Sequence, residues 1–362
     1  MIINLCVGSG GGSSAPIKLQ GLIARENGTY TPDEGYDGYS EVLVDVTEPA
    51  EVFVVPDGMK FSKSTFTTLP EGLDFSNVTD MSYIFSECTS LQTITSLNTS
   101  NATSMYYLFG KCENLASIPL LDTANVTDMS YMFYQCKNID TIPLFDTSNV
   151  ANMTNMFFQT HSLKTIPLLN TSNVTSMYHM FDSSHIETIP LLNTENVTNM
   201  QYMFYYSNIK ELPLLDTSKV NSMYYMFANC RNITTIPQFN TANVTDMSYM
   251  FSDSTSLQSI PLLDCSKANI SSMFYIRSPY YDYDVLTDLG GFKDLKKSAS
   301  SGFLDRCPNL TVESLMNVIN NVYDLTANGL SGKSMKFGQT NLDKLTPEQI
   351  AVATAKGWTL TA

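Results

Sequence analysis

No stretch of this chain approaches the ~18–20 consecutive apolar residues of a membrane-spanning helix, so membrane insertion is not expected. Basic residues are few: Lys+Arg number 20 against 35 Asp+Glu, a net charge of −15. Nucleic acid is therefore an unsuitable partner, because phosphate contacts need a basic face. No C-x-x-C pair is present to hold zinc. The three histidines, His161, His179 and His185, occupy unrelated positions, and no Ser/His/Asp, Cys/His or phosphate-loop motif stands in its proper context. Asp282 and Asp284 form a carboxylate pair, but on a loop where solvation is the simpler reading. No catalytic residue, metal ligand or cofactor is expected, and the chain reads as a non-enzyme. Met1–Gly12 has neither a basic start nor an apolar stretch long enough for an export signal, so none is expected there.

What the chain has instead is a unit of about two dozen residues written eight times. Its first methionine falls at Met81, Met105, Met129, Met153, Met177, Met200, Met223 and Met247, in steps of 24 or 23 residues. A fixed period of this size is the mark of a solenoid, a class that recognises surfaces. In the copy Asn125–Phe145, Met129, Met132, Phe133 and Cys136 fall at i, i+3, i+4 and i+7, which predicts a short helix with Thr127 as N-cap. Ile142, Pro143, Leu144 and Phe145 read as a short strand, and Asp146-Thr147-Ser148-Asn149 as a polar turn. One copy alone buries too little to offset ~1.5 kcal/mol of ordering entropy per residue. Only stacking of copies, about 4.8 Å apart, makes folding favourable, and eight copies would give a rod on the order of 40 Å long.

The string C-x-x-L-x-x-I-P-L-L-D-T-S-N-V-T-D-M-x-x-M-F resembles the BspA-like leucine-rich repeat of bacterial surface proteins, over about Phe66–Phe274. The resemblance implies an α/β solenoid: a right-handed coil with a parallel sheet on one face and short helices on the other. It also implies an adhesive role, and some relatives occur in phage particles. A ninth copy is degraded to Ile270, Met273 and Phe274.

Stacking turns equivalent positions into ladders. Asn77, Asn101, Asn125, Asn149, Asn173, Asn196 and Asn243 are expected to point inward and bond backbone of the neighbouring turn. Most lie in N-x-Thr sequons, which the repeat itself accounts for. Pro119, Pro143, Pro167, Pro190, Pro213, Pro237 and Pro261 remove strand donors, so the sheet is expected to be interrupted at that level. Cys88, Cys112, Cys136 and Cys230 share one position and are expected to be free core thiols. Tyr83, Tyr107, Tyr131, Tyr202, Tyr225 and Tyr249 fill a slot beside the buried stripe, with Asn155 and His179 in the middle copies. Half-exposed rings there either pack adjacent helices or form a contact surface for sugar or protein.

The remaining segments divide the chain into a peptide and Gly/Ser linker (1–15), a small β-module and cap (16–65), the repeats (66–275) and an irregular insertion with an α/β cap (276–362). Ile2, Ile3, Leu5 and Val7 are a candidate docking segment, able to add a strand to a partner. Tyr280, Tyr281 and Tyr283 lie in a loop expected to be exposed. Thr311 and Thr346-Pro347 are helix starts, the second with a capping box to Gln349. These features lead to a first expectation of a phage virion component, docked on other virion proteins by its N-terminal segment and presenting the repeats to a host-surface protein or glycan. A bacterial cell-surface adhesin is the alternative, and a carbohydrate-active enzyme the third. A homo-oligomer is compatible with all three.

Overall fold

The computed structural model describes residues 53–70, 72–278, 281–299 and 302–362, with four short strands placed within residues 1–52. Those are β1 (Ile2–Ile3), β2 (Leu22–Ala24), β3 (Tyr30–Pro32) and β4 (Leu43–Val44); β1 pairs with β4 in parallel and β2 with β3 antiparallel. Leu5, Val7 and the Gly8–Ser14 linker lie outside the described residues. The chain forms two units, Met1–Asn173 and Val174–Ala362.

Within each unit the copies are coils laid one on the next. In the first, parallel bridges join Asp80 to Ser104, Ser104 to Asp128 and Asp128 to Asn152. In the second, the same position runs through Ser176, Asn199, Ser222, Asp246 and Asn269.

The expected short helix is absent from every described copy. Met129–Cys136 is a chain of tight turns instead. The Met132 N–H donates to the Met129 carbonyl (3.2 Å), Tyr134 to Tyr131 (3.0 Å) and Cys136 to Phe133 (3.0 Å). The intervening amides leave the coil: Met129 donates to Asn152 (3.1 Å), Tyr131 to Thr154 (2.8 Å), Phe133 to Met156 (3.0 Å) and Gln135 to Phe158 (2.7 Å). Tyr131 and Gln135 stand at φ 60° and 58°, the third-residue geometry of a type II turn and incompatible with a helix. A two-turn helix is marginal by itself, whereas these turns give every second amide a carbonyl on the next coil. Residues i, i+3, i+4 and i+7 face inward in both arrangements, which is why the spacing suggested a helix. Thr127 accordingly caps nothing; its amide and hydroxyl both donate back to the Thr103 carbonyl, at 2.9 and 3.3 Å.

The core is a column of inward side chains. Phe85, Phe109, Phe133 and Phe157 stack with centroids 5.8–5.9 Å apart in the first unit, and Phe181, Phe204, Phe227, Phe251 and Phe274 at 5.6–6.1 Å in the second. The methionines of the stripe are fully buried beside them. Cys88, Cys112 and Cys136 are free and buried, each Sγ donating to a phenylalanine carbonyl one coil back, at 2.9–3.0 Å.

The sheet is reduced to single bridges, such as Thr93 with Ser117 and Thr188 with Glu211, because a proline follows one residue after the buried isoleucine in most copies. Among the described residues of the array, two-residue strands form near its ends. β5 (Phe53–Val54) pairs with β6 (Leu73–Asp74) in the first unit. In the second, β7 (Ser259–Ile260) and β8 (Leu263–Asp264) pair with β9 (Asp288–Leu289) and β10 (Phe292–Lys293). Between β9 and β10 a Cβ on Gly290 would lie 2.4 Å from the Leu262 nitrogen, so only glycine fits against this backbone.

The second unit closes on α1 (Val312–Asn321), α2 (Gln339–Leu342), α3 (Pro347–Ala355) and the parallel pair β11 (Lys333–Lys336) and β12 (Trp358–Thr361). Thr311 caps α1, and Thr346 with Gln349 forms the capping box of α3. Trp358 is buried, its Nε1–H donating to the Tyr323 carbonyl at 2.8 Å.

Candidate functional site

The turn geometry that replaces the helix also builds the tyrosine face. Each tyrosine of the ladder is itself the positive-φ residue: Tyr83, Tyr107, Tyr131, Tyr202, Tyr225 and Tyr249 stand at φ 54–61°, as do Asn155 and His179 at 55° and 53°. That conformation turns the ring away from the buried stripe residues on either side of it, and the tyrosines are half-buried to exposed.

In the first unit Tyr83 and Tyr107 lie 5.2 Å apart, Tyr107 and Tyr131 6.0 Å. Tyr106 and Tyr134 fill the gaps, Tyr134 stacking on Phe158 at 4.7 Å. In the second, His179, Tyr202, Tyr225 and Tyr249 form a parallel stack at 4.3, 5.2 and 4.6 Å, with interplanar angles of 10° or less. Tyr205 and Tyr224 meet it edge-on. Several of these phenols are harder to ionise than a free tyrosine. A hydrogen bond with Tyr83, then burial, pushes Tyr106 up to about 12. Burial, then the Tyr224 phenol, takes Tyr225 to about 12. Burial likewise raises Tyr107 and Tyr202. The face therefore presents uncharged hydroxyls and ring edges, suited to sugar or protein contact.

The other candidates separate. Tyr281 is exposed, at 64%. Tyr283, expected on the surface, is fully buried: its hydroxyl donates to the Phe251 carbonyl and its ring packs edge-on to Phe274 at 5.4 Å. It is a plug on the last coil, because a large ring with one polar tip fills the apolar end and meets a carbonyl there. Tyr280 lies outside the described residues. Ile2 and Ile3 pair with Leu43 and Val44 of the same chain. The asparagines bond the neighbouring turn as expected, Asn101 to Ser76, Asn125 to Ser100 and Asn149 to Ala124, but from exposed positions and not from inside. The buried partner of that turn is threonine: Thr99, Thr123 and Thr147 donate to the next coil's carbonyl at 2.7–2.8 Å.

A second ladder is not anticipated from the sequence. Leu120, Leu144 and Leu168 are 68, 60 and 61% exposed in the first unit, and Leu191 and Leu214 62 and 61% in the second. Each directly precedes a buried residue, for example Phe145 at 2%. Adjacent residues of an extended segment point opposite ways, so only one of the pair can face the core; that was the available signal.

His179 contacts Asp182 through Nδ1, and the Ser183 hydroxyl donates to the other Asp182 oxygen at 2.7 Å. Among the described residues no group of three or more His, Cys, Asp or Glu is placed to hold a metal ion, and no helix is long and apolar enough to cross a membrane.

The family described as "Mycoplasma protein of unknown function, DUF285" matches residues 58–163, 138–209 and 185–280. Among solved structures, a leucine-rich cell surface protein from Faecalibacterium prausnitzii A2-165 aligns with a TM-score of 0.41 and 16% identity, over 98% of this chain and 94% of that one. No curated protein matches the chain.

Proposed function

The chain belongs to the DUF285 family, and on that premise we propose that it is a non-enzymatic bacterial cell-surface protein whose repeats recognise a protein or glycan. The observation that carries this reading is the pair of ladders, half-exposed tyrosine and exposed leucine, repeated in register within each unit. Single exposed leucines need no explanation, but in-register rows of apolar side chains are the mark of an interaction surface. What supports a bacterial protein over a virion component is the family's description, which names a bacterium. We extend the same reading to a right-handed coil of the BspA-like type.

The test is protease shaving of intact producing cells, together with adhesion of the purified protein to immobilised extracellular-matrix proteins and mucin. Peptides of this chain released from intact cells, and adhesion lost in a Leu120→Ser, Leu144→Ser, Leu168→Ser variant, are expected. Recovery of the chain only in purified phage particles would replace this reading by the virion one.

A further inference from the structure

Arginine is rare in this chain: Arg25, Arg231, Arg277 and Arg306 are all there are among 362 residues. Three of them meet in the second unit. Arg231 and Arg277 line one cavity of about 270 Å³. Arg306 braces its wall, donating through Nη2 to the Ser278 carbonyl (3.3 Å) and to that of Tyr281, with Nε 2.8 Å from Asp282. Such convergence of cations in a chain of net charge −15 is not a consequence of the repeat.

The frame of the cavity is the second positive-φ position of three consecutive coils, Tyr206, Asn229 and Asp253, at φ 55, 59 and 55°. Their amides are fixed to the next coil at 2.9, 2.7 and 2.9 Å. In the first unit the same register holds Glu87, Lys111, Gln135 and Gln159, so the lining is particular to this end of the array. The Arg277 amide donates to Asp253 Oδ1 at 2.9 Å, and its guanidinium bonds the Tyr205 hydroxyl. Arg231 forms no ion pair among the described residues. The rings of Tyr206 and Tyr281, 41 and 64% exposed, stand in the wall.

We propose that this cavity binds an acidic sugar residue, such as a sialic or uronic acid at the end of a glycan. Two guanidinium groups suit a carboxylate, which they hold by charge-assisted hydrogen bonds. Tyrosine rings suit the apolar face of a pyranose. Asn229 and Asp253 supply donors and acceptors for ring hydroxyls, and the Asp253 carboxylate disfavours a doubly charged phosphate in the same space. The volume, just below the ~300 Å³ at which small-molecule clefts usually begin, matches one ring and not a folded peptide. This assignment sharpens the recognition reading of the tyrosine face, which the cavity adjoins through Tyr205 and Tyr206.

Saturation-transfer NMR and calorimetry on the full chain test it, with N-acetylneuraminic acid, glucuronic acid, glucose, inorganic phosphate and an acidic tetrapeptide as probes. At least one sugar acid is expected to bind about tenfold tighter than glucose, a ratio matching one charge-assisted contact. Arg231→Gln with Arg277→Gln should abolish that preference. Arg231→Gln alone, at an exposed residue, should weaken binding while leaving the unfolding midpoint unchanged. Absence of sugar-acid binding, equal binding of phosphate or the tetrapeptide, or an unaltered affinity in the arginine variants would overturn the proposal. The leucine variants should bind the sugar acid normally, so a failure of the surface reading is distinguishable from a failure of this one.

Discussion

The Asn149 side-chain amide donates to the Ala124 carbonyl at 2.8 Å, one coil back. Two residues earlier, Thr147 donates to the Asn170 carbonyl at 2.8 Å, one coil ahead, while Asp146 closes the turn on the Ser148 amide at 3.0 Å. One short string thus seals both seams of its coil. Thr147 is fully buried and Asn149 is exposed. Thr147→Val, which removes a hydrogen bond made by a fully buried side chain, should cost about 1–3 kcal/mol. Asn149→Ala should cost roughly 1 kcal/mol or less, because water replaces the bond. Urea unfolding of the two variants checks the order; equal losses would contradict it.

The sign of a glycine substitution separates turns from helix. Lys111 stands at φ 61°, and its ion pair with Glu87 is long, at 4.0 Å, so little is lost with the side chain. Lys111→Gly is expected to stabilise the protein by up to about 1 kcal/mol, by relieving the left-handed conformation. In a helix the same change would destabilise by about 1 kcal/mol. Thermal unfolding of this single variant decides between them.

The tyrosine face sets an alkaline limit. Tyr106 and Tyr225 are pushed up to about 12 in the folded protein, from the ordinary tyrosine value of 10.0. The folded state therefore holds more protons than the unfolded state between these values. Stability is fully present below pH ~10 and falls as pH rises toward 12. Absorbance titration should show native phenols ionising well above 10, with unfolding in the same window; uniform titration near 10 would contradict this. At the acid end, Ser148 and Ser218 hold Asp146 and Asp216 below the usual carboxylate range. Their contribution is present above pH ~4 and is lost as pH falls through the lowered values. Asp146→Asn should flatten that acid arm, since Asn170 makes the same turn bond to Ser172 at 3.1 Å.

Leu144 and Phe145 are neighbours with opposite roles. Leu144→Ser, at a 60% exposed position, should change stability by no more than about 0.5 kcal/mol. Phe145→Ala, at 2% exposed, should cost about 3–5 kcal/mol. Denaturation measures both, and a large loss from Leu144→Ser would assign the leucines to packing.

The repeat made much of this legible. Eight near-identical copies disclose the period, the thiol column, the asparagine bonds to the adjoining turn and the half-exposure of the tyrosines, because only stacked coils put one position in one environment throughout. Conformation inside a coil was less legible. Met129, Met132, Phe133 and Cys136 face inward whether the chain winds as a helix or folds as linked turns, and what decides is bonding to Asn152–Phe158, which no local pattern encodes. Tyr283 was hidden for a related reason: its burial depends on the open end at Phe251 and Phe274. The arginine cavity draws on residues from 206 to 281, a span that no local motif reveals.

The alternation of turn amides has an evolutionary corollary. Met105, Tyr107, Phe109 and Lys111 reach forward to Asp128, Ser130, Met132 and Tyr134, and the same four positions of the next copy reach forward in turn. Each coil offers its successor the surface it received from its predecessor. An in-frame duplication of a whole copy can therefore lengthen the protein without redesigning any junction.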